Sequence, residues 1–374
     1  MRKIISVYGK YFITAGIMLV IFLFSNSVQK KPLLANDKSE YAKAVVLQNT
    51  NENLQTVSDI DVGDSQEVIL LIKSGTYKGQ TVSGYSMNGY LYGADCKKGT
   101  KVIVNISEYN GMISANVYNY DREFEIGFLV CAFLGLMWLV GGRKGINSIV
   151  ALIFTFAVVI MLYIPLMYIG CSPFIAAIVS VILITIVTFI LIADFKIKSI
   201  AAMLGTVGGV VVAGIIALIF GKTAHVTGIN VDEIETLIYI GQNSKLSIGG
   251  MLFSGILISS LGAVMDVAMS VATSLNEIQI NSPGITKKEM FKSGINIGRD
   301  MIGTMSNTLI LAYVGGSLNL LMIIYAYSYQ MHQVMNMYNV AIELMRGISG
   351  TMGIILTVPF TSVITTMMLC KKKK

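Results

Sequence analysis

Three ionisable side chains inside the apolar stretches of this chain are of the right types and order to do chemistry together: Asp266, Arg299 and Asp300. Asp266 closes a series, Gly250, Ser254, Gly262, Asp266 and Ser270, that recurs at multiples of four and predicts a small and polar stripe on one helix face. On a helix starting at Ile248 the carboxylate stands about 27 Å along the axis, still within an apolar layer of membrane thickness. A charge there costs several kcal/mol unless it is paired or hydrated, so it needs a partner. Arg299 is expected at comparable depth on the next span, pairing with Asp266 in a small network with Asp300. Asp300, Thr304 and Asn307 share a face of that span, with Arg299 about 100° away. The last apolar segment carries Gly353, Thr357, Thr361 and Thr365 at four-residue spacing around Pro359. These stripes suit a polar pathway: Asp266 and Asp300 as cation or proton sites, Arg299 as counter-charge or anion contact, and Thr304, Asn307, Thr357 and Thr361 as hydrogen-bonding groups for a solute. The plainer reading is a charge pair that holds two helices in register.

Such residues have to be positioned by membrane helices, because 54% of the 374 residues are hydrophobic and only 13% charged. A soluble domain carries about a quarter charged residues. Apolar runs predict spans at about 125 to 140, 146 to 168, 173 to 193, 199 to 220, 248 to 273, 298 to 325 and 348 to 370. Alternate loops hold the basic residues: Arg2, Lys3 and Lys10, then Arg143 and Lys144, then Lys196 and Lys198, then Lys287, Lys288, Lys292 and Arg299, and finally Lys371 to Lys374. The intervening loops hold only Lys222, Lys245 and Arg346. By the positive-inside bias both termini are cytoplasmic, and the net charge of +7 is a topology signal rather than a nucleic-acid footprint. Ala201, Gly205, Gly209 and Ala213 form a small-residue ridge for close helix approach, and Gly262 is read as a packing glycine too. Glu343 and Arg346, at i and i+3, can pair on a short outer helix before the last span.

The first apolar segment, residues 1–26, reads as a membrane anchor or a signal segment. Residues 27–122 turn polar, with alternating strands at Ala42 to Leu47, Glu67 to Lys73, Gln80 to Met87, Lys101 to Ser107 and Met112 to Tyr118. They predict a small extracytoplasmic β-barrel, OB-like in size and strand number. Residues 123–370 form the seven-helix transmembrane domain, and 371–374 a basic cytoplasmic tail. The fold class is therefore mainly α, a polytopic bundle of 7–8 spans with an N-terminal β-barrel-like domain.

Enzyme chemistry finds little support. Gly221-Lys222-Thr223 lacks the earlier glycine and the strand of a phosphate loop. His225 and His332 stand alone, so no zinc site is expected, and no metal or cofactor. Arg299 beside Asp266 and Asp300 would favour ionisation of both, contrary to a proton-sharing protease dyad. The four cysteines show no CxxC, and Cys96 with Cys171 is the one bridge left open. Asn230 and Glu233 suggest a capping box ahead of a short amphipathic helix through Gln242.

Gly262-Ala263-Val264-Met265-Asp266, then Gly298-Arg299-Asp300 running into Gly303-Thr304-Met305-Ser306-Asn307-Thr308, then Glu343-Leu344-Met345-Arg346 with Gly350-Thr351-Met352-Gly353 and Pro359, resemble the YibE/F-like family of bacterial integral membrane proteins. The resemblance covers about residues 125 to 370. It implies a multipass protein of the bacterial cytoplasmic membrane, for which transport is the usual suggestion, and it names no substrate. The expected partners are the lipid bilayer, a small solute or ion, and another membrane protein or a second copy, with no nucleic acid. The alternative function is a membrane scaffold or envelope sensor whose exported β-domain binds a partner.

Overall fold

In a computed structural model of the chain, residues 2–28, 39–49, 65–87, 93–109, 112–193, 196–229 and 234–370 are described. They form two compact units, Pro32–Leu136 and Met1–Lys31 with Met137–Lys374.

The smaller unit is a closed barrel of β1 (Glu40–Asn49), β2 (Ser65–Ile72), β3 (Thr81–Met87), β4 (Lys101–Tyr109) and β5 (Met112–Tyr120), ordered β1-β2-β3-β5-β4. Every second residue turns inward, as strand pleating requires: Ala42, Ala44 and Val46 from β1, Val68, Leu70 and Ile72 from β2, Val102, Val104 and Ile106 from β4. Closure falls to the parallel contact of β3 with β5, at Ser86 and Val117. Gly84 makes that approach possible, since a Cβ there would stand 1.6 Å from the Ala115 carbonyl oxygen. Residues 93–97 cross the barrel as a plug. Ser86 Oγ donates to Ala94 O at 2.7 Å, and Gln66 Oε1 accepts from Cys96 N at 2.8 Å. The Cys96 side chain is fully enclosed and all four cysteines are free, so the Cys96–Cys171 bridge is not made. Lys43, donating to Glu123 at 2.6 Å, ties β1 to the start of the next helix, and this hydrogen bond raises the lysine pKa.

The larger unit is built from α1 (Arg2–Ser27), α2 (Glu123–Val158), α3 (Ile164–Tyr168), α4 (Pro173–Ile192), α5 (Ile197–Thr223), α6 (Ile234–Asn243), α7 (Met251–Asn281), α8 (Lys287–Gly316), α9 (Leu318–Ala326), α10 (Met331–Met335) and α11 (Tyr338–Leu369), with the first part of α2 assigned to the barrel unit. Among the described residues, six helical stretches are long and apolar enough to cross a membrane, and seven if α8 and α9, bent by 62°, count as one span. The stretch Glu123–Tyr168 is interrupted at Gly142, whose φ of 52° and ψ of −130° are not helical. A straight helix would separate Met137 from Gly145 by about 12 Å. Instead, a Cβ on Gly145 would meet the Met137 carbonyl at 2.0 Å, so the chain folds sharply between the two spans read from the sequence. Further on, Val159–Tyr163 is a π-helical turn just ahead of Pro165, which has no N–H to give the ladder.

α1 packs on this unit, with Ile21 in the core and Lys10 Nζ donating to Leu191 O at 3.0 Å. A lysine at the last carbonyls of α4 satisfies an orphan acceptor and complements the helix dipole. The expected capping residue Asn230 lies outside the described residues; α6 itself runs Ile234–Asn243. α8 ends at Gly316 rather than continuing to 325, and α11 begins at Tyr338, so Glu343 and Arg346 sit on the last long helix rather than on a separate short one.

α11 is the centre. Its Gly353, Thr357 and Thr361 lie against Ala213, Gly209 and Gly205 of α5, the ridge expected from spacing. A Cβ on Gly209 would stand 1.7 Å from Thr357 Oγ1, and one on Gly205 2.0 Å from Thr361 Oγ1. On another side of α11, Gly294 and Gly298 of α8 receive Ser362 and Val358. Gly205→Ala and Gly209→Ala should each destabilise the protein by about 1–3 kcal/mol through overpacking. Gly208→Ala, whose Cβ would meet only Phe360 at 3.8 Å, should be neutral or better, checked by thermal unfolding in detergent. In the barrel, burial pushes the Cys96 thiol up, away from thiolate. A maleimide at pH 8 should therefore leave Cys96 unmodified until denaturant opens the barrel, as peptide mass mapping would report.

Candidate functional site

α7 exposes Gly255, Ser259, Gly262 and Asp266, at spacings i, i+4, i+7 and i+11 that define one helix face. α8 exposes Arg299, Asp300, Gly303, Thr304, Asn307 and Thr308, while Gly294 and Gly298 bury its other side against α11. The two exposed faces meet where Ser259 Oγ and Tyr313 Oη hydrogen-bond at 2.7 Å. Together they form a polar strip on helices otherwise built for an apolar layer. α8 reaches span-like apolarity only together with α9, because this strip dilutes it.

The stripe expected on α7 does not keep to one face. Each four-residue step turns the helix by about 40°, so Ser254 and Asp266, three steps apart, point about 120° apart. Ser254 faces inward, fully buried, and its Oγ meets Tyr163 Oη at 2.5 Å. Among the described residues Gly262 packs on no other element, since nothing from one lies within 4 Å of a Cβ placed there. That corrects its expected role as a packing glycine.

The Asp266–Arg299 pair does not form. Among the described residues the ion pairs join Lys43 to Asp121 and Glu123, Lys97 to Asp95, and Arg346 to Glu343, and none involves Asp266, Arg299 or Asp300. The two side chains also stand at different depths. Ser260 and Leu309 both flank Gly350, and Leu275 lies against Gly294, so the antiparallel register puts Asp266 level with about Gly303. Arg299 is then about 6 Å deeper. The carboxylate has Thr304 near its level instead, with Asn307 about 6 Å away on the side opposite Arg299.

Thr304 Oγ1 donates to Met301 O at 3.1 Å and Thr308 Oγ1 to Thr304 O at 2.9 Å, so each hydroxyl spends its proton on its own helix and keeps its lone pairs free. The side chains of Asn307, Asp266 and Asp300 make no hydrogen bond among the described residues. This set offers carboxylates, accepting hydroxyls and an amide, which suits a cation or a proton. Thr357 and Thr361 do not belong to it. Both are fully buried on the α5 side of α11, where Thr357 Oγ1 donates to Gly353 O at 2.7 Å. Thr361, Ser362, Thr365 and Thr366 keep buried hydroxyl oxygens without a partner in the structure.

Glu343 and Arg346 pair at 2.7 Å, half-buried, and Glu343 lines a cavity of about 270 Å³ together with Ile310, Tyr313, Ser317, Leu321 and Gly347. The sequence reading missed Ser259 and Tyr313. The i, i+4, i+7, i+11 series that includes Ser259 was there to find it, whereas nothing local marks Tyr313 as its partner.

A bundle of apolar helices carrying a polar strip, with a five-strand barrel ahead of it, marks a multi-helix membrane protein. The YibE/F-like protein family model matches residues 129–371, most of the chain, and the chain belongs to that family. No curated protein and no solved structure matches it.

A double-mutant cycle on Ser259→Ala and Tyr313→Phe should return a coupling of about 0.6 kcal/mol, the usual size for such bonds between membrane helices, by unfolding in detergent. A coupling of zero would show that the bond does not hold α7 to α8.

Proposed function

We propose that this protein carries a small cation, or a proton, across the bacterial cytoplasmic membrane along the α7–α8 strip. One observation carries the reading: Asp266 stands exposed on a span, level with about Gly303 and Thr304, with no cationic side chain paired to it among the described residues. A carboxylate at membrane depth that is not neutralised from within the chain is costly unless water or a transported cation visits it. Asp300 supplies a second carboxylate toward the deeper end, and Arg299 beside it sets the local charge balance. The basic loops favour cytoplasmic termini, with the barrel outside.

Purified protein in liposomes should move protons, Na⁺, K⁺ or a divalent cation. Asp266→Asn should lower that flux about tenfold or more, and Asp300→Asn should lower it less. Absence of flux for all of these ions, or flux unchanged by Asp266→Asn, would overturn the reading.

A second reading, a scaffold or sensor, draws on the barrel, which has its own core and shows exposed Tyr41 (57%) and Tyr85 (53%) on its outer surface. Aromatic residues of this kind are typical of binding surfaces. It predicts that a deletion phenotype is rescued by the Asp266→Asn protein but not by one carrying Tyr41→Ala and Tyr85→Ala. The transport reading predicts the opposite pattern.

A further inference from the structure

The α7–α8 strip poses a question of coverage as well as of transport. Lipid chains offer no hydrogen bonds, and unpaired polar groups facing them are costly. Asn307, Asp300 and Arg299 are all exposed on α8 and unpaired among the described residues. Gly303 beside them has nothing within 4 Å of a Cβ position, which leaves the backbone open to a close neighbour. The exposed apolar face of α2 from Ile126 to Gly142 contains no charged or amide side chain, so it offers this face no partner.

We propose that a second copy of this chain covers the strip, with the two α8 helices packed side by side about a two-fold axis along the membrane normal. The face is self-complementary in the way such symmetry demands. An axis normal to the membrane preserves depth, so a residue meets partner residues at its own level. Arg299 and Asp300 are neighbours in sequence and differ in depth by about 1.5 Å. Each arginine therefore meets the aspartate of the other copy, which gives two equivalent ion pairs. Asn307, about two turns along, carries both donor and acceptor on one amide and can bond to its own symmetry mate. Gly303 and Thr304 between them keep the approach close, as small residues do between membrane helices. A partner of different sequence would need its own matching arginine, aspartate and amide in register. A second copy supplies them without further assumption.

This assembly stands on the unsatisfied face and holds whether or not an ion passes. If the transport reading also holds, the partner's α8 forms the second wall of the route, and the site is incomplete in a single chain.

The test uses full-length protein in native membranes, with Cys131, Cys171 and Cys370 replaced by alanine and the enclosed Cys96 kept. Asn307→Cys and Gly303→Cys should crosslink under mild oxidation to a species of twice the 40.6 kDa chain mass. Ile219→Cys, on an exposed face of α5, should not. Arg299→Asp alone and Asp300→Arg alone should each lower the dimer fraction about tenfold in lipid nanodiscs by mass photometry, and the two together should restore it to within about twofold. Crosslinking equal at positions 307 and 219, a monomer throughout, or a charge swap that fails to restore a dimer lost in both single variants would overturn the proposal. A dimer without ion flux would sink the transport reading and leave this one standing. Flux from a monomer would do the reverse.

Discussion

The contact of α5 with α11 is the constraint on which the bundle depends. In a bilayer, burial of apolar surface gives helices no reason to prefer each other to lipid, so association relies on close packing and on bonds between helices. Gly205 and Gly209 give α5 a surface with no side chains, and Thr361 and Thr357 of α11 fill it to the point where a single added methyl would overlap an oxygen. Gly353 returns the favour toward Ala213, with the Gly209 carbonyl oxygen 3.0 Å from its Cβ position. Since α11 also receives α8 at Gly294 and Gly298, the position of one helix sets that of two others.

The same contact decides what faces outward. With Thr357 and Thr361 committed to α5 and Ser362 and Val358 to α8, these α11 side chains stand apart from the exposed strip of α7 and α8. The glycines of α8 that meet α11 lie on the side opposite Asn307, so seating α8 well necessarily turns Asp300, Thr304 and Asn307 away from the bundle. Internal packing and the exposed polar strip are therefore two consequences of one sequence pattern.

Much of this was legible in the sequence. Alternation in segments such as Lys101-Val102-Ile103-Val104 located all five strands to within two or three residues, because a strand half buried in a barrel has a strict period of two. The α5 ridge was legible because glycine and alanine at four-residue spacing have few other uses in an apolar helix. The reading of Asp266 failed for two physical reasons. A four-residue repeat drifts about 40° per step, so a stripe sixteen residues long wraps much of the helix. The relative depth of two helices is set by packing partners such as Gly294 against Leu275, which no local pattern encodes. The bend after Gly316 was hidden for a related reason: Leu318 to Ala326 continues the apolar run without a proline, and only direction changes.

The barrel and the helices differ in how they can meet other molecules. β1 pairs with both β2 and β4, and β5 pairs with both β4 and β3, so the ladder closes and, among the described residues, no strand edge is left to recruit another chain by backbone pairing. Recognition at the barrel must then use side chains, and exposed tyrosines are the ones available. In the helices most backbone groups are bonded within their own segment, apart from termini such as Leu191 O and the breaks at Gly142 and Pro359, so there too side chains make most of the contact with a neighbour. Among those side chains, apolar ones gain nothing by exchanging lipid for protein, whereas an arginine, an aspartate and an asparagine gain a great deal. The few polar groups on these apolar helices are consequently the ones with most to gain from a neighbour.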